Sequence, residues 1–221
     1  MQRSFDVIFS GIALVLLSPL LLPLMFLLRV TGEGEIFFPQ DRVGRGGKDF
    51  KLYKFATMLK DSPNMGTGTV TVKNDPRVLP MGGFLRKTKI NELPQLINIF
   101  NGDMSVIGPR PQTQRCFDAF PLSSQNEIIK VRPGLSGIGS IIFRDEEDMM
   151  YANNDPDKFY DEIVMPYKGS LEDWYVSHKN IGSYFSLIGL TIFAVLGLNS
   201  VLVWKLFKDL PPPPEQLIKW I

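Results

Sequence analysis

The chain begins with its longest apolar stretch. Val7 to Leu28 runs for 22 residues without a charge. A straight helix of that length would cross a bilayer core of about 30 Å. Ser18-Pro19 falls near its centre, and Pro23 follows one turn later. A central proline removes a backbone hydrogen bond and bends the helix. The serine before it can return a hydroxyl to the freed carbonyl. A secretory leader fits poorly, because only Arg3 precedes the run and no small-x-small cleavage site follows. That leaves a helix that crosses, or one that enters, breaks at Ser18-Pro19 and returns to the same side. Arg3 before the run and Arg29 after it suit both ends being cytoplasmic.

Shorter patterns follow. Ile36-Phe37-Phe38 and the alternating Phe50 to Phe55 read as strands around a tight turn at Gly44, Gly46 and Gly47. Residues 61–74, rich in Gly, Thr and Asn, read as a loop. From Asn91 to Phe100, apolar Leu93, Leu96, Ile97 and Phe100 give one helical face. Asn91 is a natural N-cap there, and Pro94 is tolerated in the first turn. The start of such a helix offers free N–H groups to an anion, with Arg86, Lys87 and Lys89 just before it and Glu92 beside them. Ile181 to Trp204 is uncharged over 24 residues. It is long enough to span a bilayer, lie in its interface or pack against the first helix. Pro211–Pro214 predicts a stiff, extended spacer in the tail.

Composition alters this picture a little. With 221 residues and 44% hydrophobic content, the chain can bury a core. Its net charge of +1 hides an asymmetry. Residues 1–140 hold 17 Lys/Arg against 11 Asp/Glu, and residues 141–221 hold 7 against 12. A basic front half suits phosphates or lipid headgroups, and is too mild to indicate nucleic acid. The single cysteine, Cys116, excludes an internal disulfide. His178 reads as a surface or interface residue, and Asp145-Glu146-Glu147-Asp148 as a solvated acidic loop rather than a metal cluster.

Two rigid turns carry candidate chemistry. Gly108-Pro109-Arg110-Pro111 and Val131-Arg132-Pro133-Gly134 each hold an arginine between fixed neighbours. Each alone reads first as a surface turn with a solvated arginine. A fixed planar fork that grips a phosphate is the other reading.

Taken in order, these segments resemble the bacterial sugar transferase family, the monotopic phosphoglycosyl transferases. The resemblance rests on Arg3-Ser4-Phe5-Asp6, Ser18-Pro19 in the membrane run, Phe37 to Gly44, Lys54 to Met58, Asn74-Asp75-Pro76-Arg77 and Phe84 to Thr88. It continues through Asn91 to Leu96, Gly102-Asp103-Met104-Ser105, both arginine turns and Trp174-Tyr175-Val176. It implies a small α/β (or α+β) domain on the cytoplasmic face of the bacterial inner membrane, with amphipathic interface helices. The expected division is a re-entrant helix-break-helix over 1–30, a catalytic domain over 31–180, and an apolar membrane-associated helix with a Pro-rich tail over 181–221. The resemblance further implies Mg²⁺, a UDP-sugar donor and a polyprenyl (undecaprenyl) phosphate acceptor. A carboxylate attacks the β-phosphate, UMP leaves, and the phosphosugar ester passes to the acceptor. The setting would be a surface glycan pathway. Membrane lipids and a second copy of the chain are the other expected partners.

The resemblance places Asn91 and Glu92 at the family's usual Asp-Glu dyad. Glu92 would be a metal ligand or the surviving catalytic carboxylate. Lys54, Arg110 and Arg132 would bind phosphates, with Pro109 and Pro111 holding Arg110. Asn91 departs from the pattern, because an amide is a poor nucleophile. Three readings stay open: an active protein that uses Glu92 or another carboxylate such as Asp75 or Asp103, a variant disabled by design, and an inactive member that binds the lipid carrier or recruits glycan-assembly enzymes. Ala56 replaces a usual arginine, and Gly34-Glu35 a usual Gly-Pro.

Overall fold

The structure is a computed structural model that describes residues 1–65, 75–144, 146–151, 155–197 and 201–221. The elements run α1 (Gln2–Val30), β1 (Gln40–Val43), β2 (Asp49–Leu52), α2 (Gly82–Lys87), α3 (Gln95–Asn101), β3 (Ser105–Ile107), α4 (Gln114–Asp118) and α5 (Leu122–Ile128). They continue with β4 (Gly134–Ser136), α6 (Ile138–Ile142), α7 (Glu146–Tyr151), α8 (Pro156–Phe159), α9 (Met165–Ser177), α10 (Ile181–Val195) and α11 (Val201–Leu206). Helix and strand are mixed, as the sequence implied. The chain divides into two compact units that are interleaved rather than consecutive. One unit holds residues 1–6, 42–50 and 102–221, and the other holds 7–41 and 51–101.

In the second unit, α1 supplies the apolar wall. Leu21, Leu24 and Leu28 are buried and pack with Phe55 and Leu85. Ile8, Ile12, Val15, Leu16, Leu22 and Phe26 on the same helix are exposed. Among the described residues this is the one helix long and apolar enough to cross a membrane. The helix is unbroken through Pro19 and Pro23, so Ser18-Pro19 does not interrupt it as expected. Ser18 donates its hydroxyl to the Val15 carbonyl at 2.7 Å, which repairs the bond that Pro19 cannot make. Ile36 to Phe38 forms only a narrow pairing. Phe37 bridges Phe55, Phe38 N–H donates to the Lys54 carbonyl, and Ala56 N–H donates to the Ile36 carbonyl.

The first unit is built around β3 and β4, which pair in parallel with Ser105 opposite Gly134 and Ile107 opposite Ser136. Helices α4 and α5 make the crossover that parallel strands need. The main core gathers Ile107, Ile138, Ile142, Leu171, Tyr175, Tyr184 and Leu187. Helix α10 packs Tyr184, Leu187 and Leu190 inward and ends at Val195. At 15 residues it reaches only about 22 Å, short of a bilayer core. Its Phe185 ring meets Phe5 at 5.1 Å, so this segment packs against the first turn of α1. Residues 198–200 of the uncharged run lie outside the described residues. The tail is not a free spacer: Leu210 and Leu217 are buried in the main core, and Tyr167 donates its hydroxyl to the Pro211 carbonyl at 2.9 Å.

Candidate active site

Asn91 lies in a 3-10 turn over Ile90–Glu92, entered through Lys89 in the left-handed conformation (φ 60°). A non-glycine residue there costs about 1–2 kcal/mol, so the fold holds this turn against a local penalty. Asn91 does not cap a helix as expected. It is 8% exposed, its carbonyl accepts from Phe55 N–H, and its buried side-chain oxygen has no partner. Nor does the segment start with free N–H groups. Those of Glu92, Leu93, Leu96 and Ile97 donate to the carbonyls of Lys89, Ile90, Leu93 and Pro94. Those four donors are used within the turn itself, and α3 proper is only the seven residues from Gln95.

The face that α3 buries is also rotated. Gln95, Leu96, Asn98 and Ile99 point inward, while Phe100 is exposed. Asn98 explains the rotation, because its amide takes the Tyr53 N–H at 3.0 Å and gives to the Lys51 carbonyl at 2.8 Å. Apolar spacing carries no trace of a buried amide that pins a strand end. Its consequence is functional: the pinned segment carries Lys54, and Lys54 Nζ lies 3.6 Å from Glu92 Oε1. Both side chains are partly accessible, at 20% and 17%. Thus Lys54 meets the adjacent pair Asn91-Glu92, far from it in the sequence, within one unit.

Of the substitute carboxylates, Asp75 is committed elsewhere. It is 6% exposed and takes three bonds from Arg77, at 3.0 Å from the backbone N–H, 2.8 Å from Nε and 2.5 Å from Nη2. Arg77 also donates to the carbonyls of Ser62 and Met65. This is a structural clamp. Asn74 of the same motif and residues 66–73 of the expected loop lie outside the described residues. Asp103 is exposed and belongs to the other unit. Ala56 is buried.

The two arginine turns are neighbours in the first unit. Gly108 N–H donates to the Ser136 carbonyl, and Gly134 N–H donates to the Pro109 carbonyl at 2.8 Å. Glycine is required where they abut: a Cβ on Gly134 would lie 2.1 Å from Gly108 N, and one on Gly108 2.4 Å from the Arg132 carbonyl oxygen. Arg110 is partly exposed, and its own N–H donates to the buried Glu172 carboxylate. Arg132 Nε donates to the Gly102 carbonyl at 2.7 Å. The two turns abut, and each holds its arginine half-exposed.

His178 is exposed, stacks on Trp174 at 4.6 Å and pairs with Asp209 at 3.1 Å. Glu146 begins α7 instead of lying in a loop, and it holds the buried Lys168 ammonium at 2.8 and 2.9 Å. Asp145 lies outside the described residues. Among the described residues no three metal-ligating side chains cluster. Glu92 remains a single accessible carboxylate. That fits a magnesium ion, which takes one or two carboxylates and fills its shell with substrate phosphates and water.

The profile described as bacterial sugar transferase matches residues 1–198. The exopolysaccharide production protein ExoY of Rhizobium meliloti is 38% identical over 165 residues, covering 68% of this chain and 72% of that protein. The putative undecaprenyl-phosphate N-acetylgalactosaminyl 1-phosphate transferase of Bacillus subtilis is 42% identical over 127 residues, covering 58% and 68%. The UDP-glucose:undecaprenyl-phosphate glucose-1-phosphate transferase of Escherichia coli is 35% identical over 143 residues, covering 64% of this chain and 31% of that longer protein.

Proposed function

The chain belongs to the bacterial sugar transferase family, and on that premise we propose that it moves a sugar 1-phosphate from a UDP-sugar to undecaprenyl phosphate, releasing UMP. The step would open a surface glycan pathway at the cytoplasmic face of the inner membrane, with α1 as the membrane segment. The observation that supports catalysis most is the Lys54–Glu92 pair beside Asn91. A carboxylate oxygen of Glu92 forms a bond to the sugar-bearing phosphorus, and the diphosphate P–O bond breaks to release UMP. An oxygen of the lipid phosphate then attacks the same phosphorus and frees the carboxylate. Splitting the transfer this way divides one hard meeting of anions into two easier ones. Lys54 stabilises the charge on the transferring group. Glu92 is also the residue that would hold Mg²⁺, which would supply charge neutralisation.

A second reading has its own observation. The Asn91 side-chain oxygen is buried and unpaired, and an amide cannot readily carry the phosphosugar ester. In that reading the chain binds the lipid carrier or recruits other enzymes. UMP release from a panel of UDP-sugars with undecaprenyl phosphate and Mg²⁺ separates the two. Turnover that Glu92→Gln abolishes supports the enzyme. Turnover only in Asn91→Asp identifies a disabled transferase, and silence in both supports the binding role.

A further inference from the structure

Arg3, Asp6, Ser105, Arg132 and Lys179 line a cavity of about 240 Å³ within the first unit. One water needs only about 10–15 Å³. Asp6 is the single carboxylate among these residues, and it is occupied: its Oδ1 accepts from the Ser105 hydroxyl, the Val106 N–H and the Tyr184 hydroxyl. The two guanidinium groups converge on Gly102. Arg132 Nε donates to its carbonyl, and Arg3 Nη2 lies 3.2 Å from where a Cβ would stand. Gly102 has φ 101°, so the turn that receives both arginines favours glycine.

We propose that this cavity binds a phosphate-class anion, a phosphate ester or a lipid phosphate headgroup, with Arg3, Arg132 and Lys179 as donors. Three cations face this cavity, and a dianion between them would be held from three sides. Partial desolvation, then Arg45 and Arg132, pushes the Lys179 ammonium below the usual lysine range, and only Asp6 pulls the other way. Arg3 also opens the apolar helix α1, where a headgroup phosphate would lie. The inference shares Arg132 with the transferase reading and rests on no other part of it. Binding is read without turnover, so either can fail alone.

The test uses the full chain in neutral detergent. The acylation rate of Lys179 is followed by peptide mass spectrometry, with inorganic phosphate against chloride at matched ionic strength. Vesicles of phosphatidylcholine, with and without phosphatidic acid, form the second arm. The anion is expected to slow labelling roughly tenfold, the change in free-amine fraction for a one-unit rise in pKa. Protection by inorganic phosphate identifies a soluble phosphate ligand, and protection only by phosphatidic acid identifies a headgroup. Arg3→Met is expected to abolish either. Should Arg3→Met not fold, Lys179→Met at an exposed position is read instead by loss of the phosphate-dependent rise in Tm. Equal labelling in every condition, protection by chloride, or an effect unchanged in the variants overturns the proposal.

Discussion

The hydroxyl of Ser18 donates at 2.7 Å to the carbonyl of Val15, the acceptor that Pro19, four residues on, leaves without an amide partner. The pair lets a proline sit inside an apolar helix without stranding a polar group in a lipid environment. The 29 residues of α1 extend about 43 Å, more than one bilayer core. Any re-entry therefore depends on a bend rather than on length.

Replacing Ser18-Pro19 by Leu-Leu restores the Val15 hydrogen bond and stiffens the helix. Cysteine labels placed on both flanks of Val7–Leu28 are expected to react from the same side in the parent chain and from opposite sides in the variant. Labelling of the parent chain from opposite sides sinks the re-entrant reading.

Asp6 organises the first unit. It is 2% exposed, and its three bonds from Ser105, Val106 and Tyr184 join α1, β3 and α10. Asp6→Ala takes the acceptor from the Ser105, Val106 and Tyr184 donors and is expected to cost about 3 kcal/mol or more in denaturant unfolding. Asp6→Asn, which keeps an acceptor oxygen, is expected to lose clearly less.

What the sequence showed and what it hid divide along range of contact. The two arginine turns were legible because glycine and proline punctuate locally. Their junction was not, since Gly108 and Gly134 meet only after a parallel crossover. Lys54, Asn91 and Glu92 were legible as motif positions, yet nothing in apolar spacing foretold Asn98, which aligns them. The same spacing misplaced Phe100, because buried amides turned the helix. Asp6 appeared in a motif with no role, and its role depends on Tyr184, 178 residues later.

Glu172 should give the first unit a pH-dependent stability. It is 1% exposed, and burial pushes its carboxyl up to about 8 against an ordinary 4.5. Lys168 and the Arg110 N–H pull it down, and Asp173 adds to the rise. The Lys168 ammonium is itself held by Glu146. A pKa raised on folding means the folded state binds the proton more tightly. The stabilisation is full below pH 4.5 and is lost as pH rises toward 8, by an amount on the order of 5 kcal/mol. Glu172→Gln is expected to flatten that slope and to be the more stable protein at pH 8.5. An unchanged slope in urea titrations across pH 5–9 would refute it.

The tail supplies the last test, because it lies beyond the family match, which ends at residue 198. Leu217 is fully buried in the main core, and Val203 and Leu210 are buried with it. Trp174 donates its ring N–H to Asp209 at 2.9 Å, and Phe207 meets the same ring edge-on at 4.9 Å. A segment bound this way is part of the fold that supports α9, not an appendage. Removing a buried leucine costs its transfer free energy plus that of the cavity left behind, about 2–5 kcal/mol. Leu217→Ala is therefore expected to lower stability by that much. Asp209→Ala, at an exposed site where it takes the acceptor from the Trp174 indole and the partner from His178, is expected to cost about 1 kcal/mol. If Leu217→Ala melts with the parent chain, the tail does not pack on the core, and the spacer reading of Pro211–Pro214 returns.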